Sequence, residues 1–221
     1  MPLAKISAET RILFAWTLFS IALYLVRVEV HQKWNYLFLN WNLGLAAIPW
    51  FLSLMLPKQN ERFAFRLLGW MIIPVWLLFF PNAPYIITDL IHIRSGKPSL
   101  KWFDIFMISS YAISGLLFGL LSLQRILKWI APQAGIRATL FFGSLLLILA
   151  AYGVYLGRFL RWNSWDLFTR PEDLLSDVYF TLRHPYSNPR AWGVTLVLGL
   201  MLNLIFFSFV KISSLRKQER S

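Results

Sequence analysis

The chain has no cysteine, which excludes a disulfide framework, a thiolate nucleophile and a Cys-ligated metal. Charge is also scarce: 14% of the 221 residues are Asp, Glu, Lys or Arg, against about 25% in soluble domains. That is too little to cover an ordinary water-exposed surface. Acids are scarcer than bases, ten against 22, and the net charge is +12. In a soluble protein such an excess would suggest nucleic acid. Here the Lys and Arg residues stand singly in short connections between apolar runs, where helix ends meet lipid headgroups. No nucleic-acid partner is therefore expected. The chain also lacks a Walker loop, a dinucleotide fingerprint, a G-x-S-x-G elbow and any nucleic-acid module. With no internal repeat and no Pro/Ser-rich linker, residues 1–221 read as a single transmembrane domain.

What the sequence has is apolar length. Hydrophobic residues make up 57% of the chain, and the mean hydropathy is +0.56. Six runs approach the ~20 residues needed to cross a hydrocarbon core: Ile12 to Val30, Tyr36 to Leu56, Phe63 to Phe80, Trp102 to Leu123, Ala138 to Leu156 and Trp192 to Val210. The expected fold is an all-α, polytopic transmembrane helix bundle. Its first helix is retained, since no small-x-small cleavage site follows the apolar stretch after MPLAKISAETR. The third run is short, and must either borrow Phe63 to Phe65 or continue past its prolines. Small residues four apart (Gly115 and Gly119, Ser110 and Ser114, Gly153 and Gly157) offer seams for close helix contact.

Counting Lys and Arg on alternate sides gives twelve with the termini and ten opposite, a modest lean to cytoplasmic termini. Seven of the ten acids and all three histidines fall on the other side. Polar chemistry is expected to gather there, facing away from the cytoplasm.

The segment FFPNAPYIITDLIHI, Phe79 to Ile93, breaks an apolar run. Pro81 and Pro84 lack N–H groups and push Phe80 and Ala83 from helical angles, so a helix is expected to break here, with Asn82 capping the freed backbone. Pro84 suits the first turn of a new helix. Read at helical period, Tyr85, Thr88, Asp89 and His92 stand at i, i+3, i+4 and i+7 and form one stripe. Asp89 and His92 are candidate catalytic residues, an acid–base pair. A surface stripe facing water is the plainer alternative.

A second polar block, GRFLRWNSWDLFTRPEDL from Gly157, places Arg158 and Arg161 three apart at the end of span five, followed by Asn163 and Asp166. Two arginines on one helical face can hold phosphate or carboxylate, or anchor to headgroups. Thr169 and Glu172 match a capping box. An interfacial amphipathic helix is expected beyond it, with Leu174, Leu175, Val178 and Leu182 on one side. His31, His92 and His184 come from three separate connections with no tight motif, so no metal is assigned and the cofactor is unknown.

The blocks LNWNLGLAAIP, FFPNAPYIITDLIHI and YLGRFLRWNSWD together resemble a family of uncharacterised bacterial integral membrane proteins, the domain of unknown function 1361. The resemblance implies a small polytopic protein of the bacterial cytoplasmic membrane and carries no activity or ligand. It places Asn42, Pro81, Asn82, Pro84, Tyr85, Thr88, Asp89, His92, Arg158, Arg161, Asn163 and Asp166 in shared motifs. The functional expectation is an outward-facing polar cluster that binds a small or lipid-linked anionic ligand through Asn42, Asn82, Tyr85, Thr88, Arg158, Arg161, Asn163 and Asp166. The alternatives are a membrane-embedded enzyme using Asp89 and His92 as an acid–base pair or as metal ligands, and a structural or assembly subunit of a membrane complex. The partners expected are the lipid bilayer and an anionic lipid or lipid-linked ligand, with an oligomer left open.

Overall fold

A computed structural model describes residues 7–31, 34–58, 63–95 and 101–218. The stretch MPLAKI and the acids Glu61 and Glu219 lie outside the described residues. Among those described there is no strand. The long helices are α1 (Ala8–His31), α2 (Leu37–Leu54), α3 (Phe63–Phe79), α5 (Lys101–Ala134), α6 (Ile136–Phe159) and α9 (Pro189–Gln218). Shorter pieces are α4 (Asn82–Tyr85), a 3-10 helix over Ile86–Ser95, α7 (Asp166–Thr169), α8 (Pro171–Arg183) and a 3-10 turn over Pro185–Ser187. Six segments among the described residues are long and apolar enough to cross a membrane: Ala8–Val30, Leu37–Leu54, Arg66–Ile93, Lys101–Ala134, Ile136–Phe159 and Pro189–Lys211. The chain is a multi-pass membrane protein. It divides into two compact units, Met1–Trp129 and Ile130–Ser221.

In the first unit α5 carries the core. Asp104, Met107, Tyr111 and Ser114 fall at helical spacing on one face and are fully buried. α1 runs antiparallel to this face and meets it in three polar rungs. Arg27 Nε donates to Asp104 Oδ1 at 2.5 Å, Ser20 and Ser114 hydroxyls lie 3.1 Å apart, and Arg125 Nη2 donates to Glu9 Oε2 at 2.6 Å. Asp104 and Arg125 are 21 residues apart, about 31 Å of helix, close to the ~30 Å hydrocarbon core. The two ion pairs therefore lie about one hydrocarbon thickness apart, with the serine pair between them.

The third span runs further than the apolar count suggests, through both prolines to Ile93. Phe80 and Pro81 make a turn, and Ala83 stays helical despite preceding Pro84. Two observations account for this. The freed carbonyls are used: Asn82 Nδ2 donates to Phe79 O at 2.9 Å, Ala83 N to Phe80 O at 3.1 Å and Tyr85 N to Pro81 O at 3.1 Å. The segment is also packed against the small face of α5. A Cβ at Gly115 would lie 2.7 Å from Ala83 O, and one at Gly119 would lie 2.9 Å from Ala83 Cβ. Irregular backbone at membrane depth survives when protein encloses it in this way.

In the second unit α6 and α9 pair antiparallel. Gly199 packs on Ile148 and Ala151, and the Arg190 guanidinium lies over the Phe159 ring at 5.6 Å. A stack of Tyr152, Tyr155 and Phe159 runs along α6 toward that arginine.

Candidate functional site

Beyond Pro84 the chain winds as a 3-10 helix for ten residues, longer than the three or four usual for that geometry. This changes the stripe expected from an α-helical period. At three residues per turn Ile86, Asp89 and His92 eclipse in one row, while Tyr85, Thr88 and Ile91 form another. Ile86 and Asp89 are buried, at 0% and 1% exposure, and Ile91 is 60% exposed. Asp89 thus shares its row with an isoleucine, not with Tyr85 and Thr88. The Thr88 hydroxyl turns back to Tyr85 O at 2.6 Å.

α2 runs antiparallel to this row and meets it twice. Asn42 Nδ2 donates to Asp89 Oδ2 at 2.9 Å, and the Phe38 ring packs on His92 with centroids 5.0 Å apart. Phe38 and Asn42 are one α-turn apart, and Asp89 and His92 one 3-10 turn apart, so the contacts form successive rungs. Two residues before Asn42, Asn40 Oδ1 accepts from the Tyr111 hydroxyl at 2.7 Å. Tyr111 lies seven residues, about 10 Å, beyond Asp104 along α5. Asn40 therefore meets α5 about 10 Å from the level of Asp104.

The best-connected charge in this unit was not singled out from the sequence. Asp104 is fully buried and receives Arg27 through both Nε and Nη2, at 2.5 and 3.3 Å, and the Tyr36 hydroxyl at 3.0 Å. The guanidinium also lies over the Tyr36 ring at 5.5 Å. Burial first, then the hydrogen bond to Asp104, pushes the Tyr36 phenol up to about 12. A signal was available: Arg27 closes one apolar run and Asp104 opens another on the same predicted side. Opposite charges at one membrane level are natural partners.

In the second unit Asp166 is buried, at 4% exposure, and draws its own loop around itself. Its Oδ2 accepts from Asn163 N at 2.7 Å and Asn163 Nδ2 at 3.2 Å, and its Oδ1 accepts from Thr169 Oγ1 at 3.2 Å. Arg170 Nη2 stands 3.5 Å from Oδ2, and its guanidinium covers the Trp162 ring at 4.8 Å. The Asn163 backbone bond is the chief cause that holds the Asp166 carboxyl below the usual carboxylate range. Because Thr169 serves Asp166, the expected capping box does not form, and α8 starts from Arg170 and Pro171 without a side-chain cap. Trp162 Nε1 donates to Asp177 Oδ2 at 2.8 Å, which ties the loop to α8. α8 turns Leu174, Val178 and buried Thr181 inward and leaves Leu175 and Leu182 exposed, splitting the four-residue apolar side expected from sequence.

Arg158 and Arg161 do not share a helical face. α6 ends at Phe159, and Arg161 lies beyond it with φ +62°, the left-handed region that few non-glycine residues adopt. Leu160 N and Trp162 N both return to Leu156 O at 3.2 Å and close the helix end. Arg161 is exposed there, whereas Arg158 is half-buried in the last turn. Asp89, His92, Asn42, Asn82, Tyr85 and Thr88 belong to the first unit, and Arg158, Arg161, Asn163 and Asp166 to the second. Among the described residues no three His, Asp or Glu side chains gather as a metal site would require.

The chain matches the family model described as Protein of unknown function (DUF1361) over residues 41–205. No curated protein and no solved structure matches the chain.

Proposed function

The chain belongs to this family of unknown function, and we propose that it is a membrane-embedded binding protein for a small or lipid-linked anionic ligand, acting at the outer face of the bacterial cytoplasmic membrane. The observation that carries the reading is Asp89, a carboxylate at 1% exposure on a ten-residue 3-10 helix within a membrane span. Ionisable side chains within membrane spans are rare and are ordinarily kept for a purpose. A long 3-10 segment is also a place where the backbone can rewind at small cost. In this reading Asp89 and His92, one turn apart, exchange a proton as the ligand arrives. Asn42 orients the carboxylate, Asn82 holds the turn above it, and Tyr85 and Thr88 line the approach. The second unit carries candidate anion contacts of its own: Arg158 in the last turn of α6, and Arg161 on the loop that Asn163 and Asp166 fix.

The test uses full-length protein in detergent, with farnesyl phosphate and inorganic phosphate as probes for calorimetric binding. Binding of either probe with proton uptake, lost in Asp89→Asn at unchanged membrane abundance, supports the reading. Loss of folded protein in Asp89→Asn, or binding of neither probe, overturns it. A reporter fused in the connection after His92 tests the sidedness, and a cytoplasmic signal there would invert it.

A structural reading is favoured for two other aspartates by a specific observation: Asp104 and Asp166 have full sets of partners. Asp104 locks helices together and Asp166 locks its own loop. An enzyme using Asp89 as base with His92 as partner would give turnover with the same variant dependence.

A further inference from the structure

The segment that carries Asp89 is wound against its own sequence pattern. At the α period its residues sort cleanly: Tyr85, Thr88, Asp89 and His92 fall within an arc of about 100°, and Ile86, Ile87, Leu90, Ile91 and Ile93 within an opposite arc of about 160°. In the 3-10 winding that it adopts, the sorting is lost. Asp89 and His92 share a row with Ile86, and Ile91, 60% exposed, shares one with Tyr85 and Thr88. The 3-10 form has the poorer hydrogen-bond geometry and is uncommon beyond three or four residues. Neither pattern nor intrinsic stability selects it, so tertiary contact does.

The selecting contact is the pair of rungs on α2. Phe38 and Asn42 are one α-turn apart, about 6 Å along the axis. Asp89 and His92 are about 6 Å apart in a 3-10 helix; in an α-helix they would be about 4.5 Å apart and about 60° out of line. The bond from Asn42 Nδ2 to Asp89 Oδ2 at 2.9 Å and the packing of Phe38 on His92 at 5.0 Å therefore stay in register together only in the 3-10 winding. At the other end Ile86 is fixed. It is fully buried, and a Cβ at Gly115 would lie 2.9 Å from its Cδ1. Rewinding about Ile86 keeps that anchor, turns Asp89 by about 60° toward Tyr85 and Thr88, and draws His92 in by about 3 Å.

We propose that Ile86–Ser95 is a two-state winding element: 3-10 with Asp89 turned to Asn42, and α with Asp89 presented beside Tyr85, Thr88 and His92 to an incoming ligand. It deepens the binding reading above and rests on it for the ligand, while the two windings stand without one. A ligand that takes Asp89 from Asn42 removes one rung and so shifts the population to the α form.

Because the chain has no cysteine, two introduced cysteines are its only thiol sites for spin labels. Full-length protein in detergent is labelled at Met55→Cys and Ile91→Cys, both exposed positions, and the distance is measured by pulsed electron paramagnetic resonance. A control pair, Met55→Cys with Val75→Cys, reports on α2 and α3 alone. The parent should give one distance for the first pair. Asn42→Leu, which keeps the volume and removes the donor, should add a second population, in which Ile91 is turned by about 100° and moved by about 2.5 Å along the axis. Phe38→Leu should do the same, with the control pair unchanged in both variants. Farnesyl phosphate should shift the parent toward the second distance. One distance in the parent and in both variants overturns the proposal. So does a control distance that changes in both variants, since the rungs would then hold the helices and not the winding. Farnesyl phosphate that binds and leaves the parent at its single distance also overturns it. Two distances in the variants, with neither farnesyl phosphate nor inorganic phosphate bound, overturn the binding reading and support the two windings.

Discussion

Three aspartates are buried in this protein, and they are satisfied in two different ways. Asp89 and Asp104, in the first unit, are each reached from far along the chain, by Asn42 for one and by Arg27 and Tyr36 for the other. Asp166, in the second, takes Asn163, Thr169 and Arg170, all within four residues. A carboxylate served by its own loop can be satisfied as soon as that loop forms. One served across helices is satisfied only when the helices are docked, so it reports on tertiary structure. The same chemical group is a local knot in one unit and a long-range lock in the other.

The largest effect that would test this contrast is Asp104→Ala, which strands the Arg27 guanidinium in a buried site. Breaking such a pair costs about 3–5 kcal/mol, so folded protein recovered from membranes should fall sharply and the thermal midpoint with it. Replacing both residues, Arg27→Met with Asp104→Leu, should recover much of the loss. If the single variant is as stable as the parent, the lock is not a lock.

Close packing on the broken span comes next. Gly115→Ala sets a Cβ 2.7 Å from Ala83 O and should destabilise by about 1–3 kcal/mol. The matched change Gly44→Ala, in open space, should be neutral or stabilising in the same thermal assay.

Asp166→Ala should cost about 1–3 kcal/mol and confine its damage to the loop. Hydrogen exchange should rise over 162–170 while the spans keep their protection. Its pH dependence has a definite sign. A carboxyl whose folded pKa is depressed gives stability that is complete above its unfolded value, about 3.9, and lost as pH falls through the folded one. Loop protection should therefore hold from neutrality to about pH 4 and fade below it. Fading near pH 6 would point to a different group.

The smallest effect has the opposite direction. Arg161 occupies a left-handed conformation at φ +62°, which costs a non-glycine residue about 1–2 kcal/mol. Arg161→Gly should raise the thermal midpoint slightly, offset by the greater freedom of glycine in the unfolded chain. A fall would show that the guanidinium itself holds the loop.

The sequence by itself determined the number of spans and the helical class, because hydropathy acts on each segment independently of its neighbours. It also located the Asp166 loop, whose partners lie within one turn. At the third span Pro81 and Pro84 mark the break, and the helix does stop at Phe79, but the backbone turns only at Phe80 and Pro81 and runs on to Ile93. Only docking against Gly115 and Gly119 could hold that irregular path, and no local pattern contains that contact. The 3-10 winding that places Asp89 in a row with Ile86, and the capture of Asp104 by Arg27, were likewise decided by tertiary structure. Each depends on atoms brought together from distant parts of the chain, and in lipid, where water cannot serve as the missing partner, such pairings decide which polar residues end up buried.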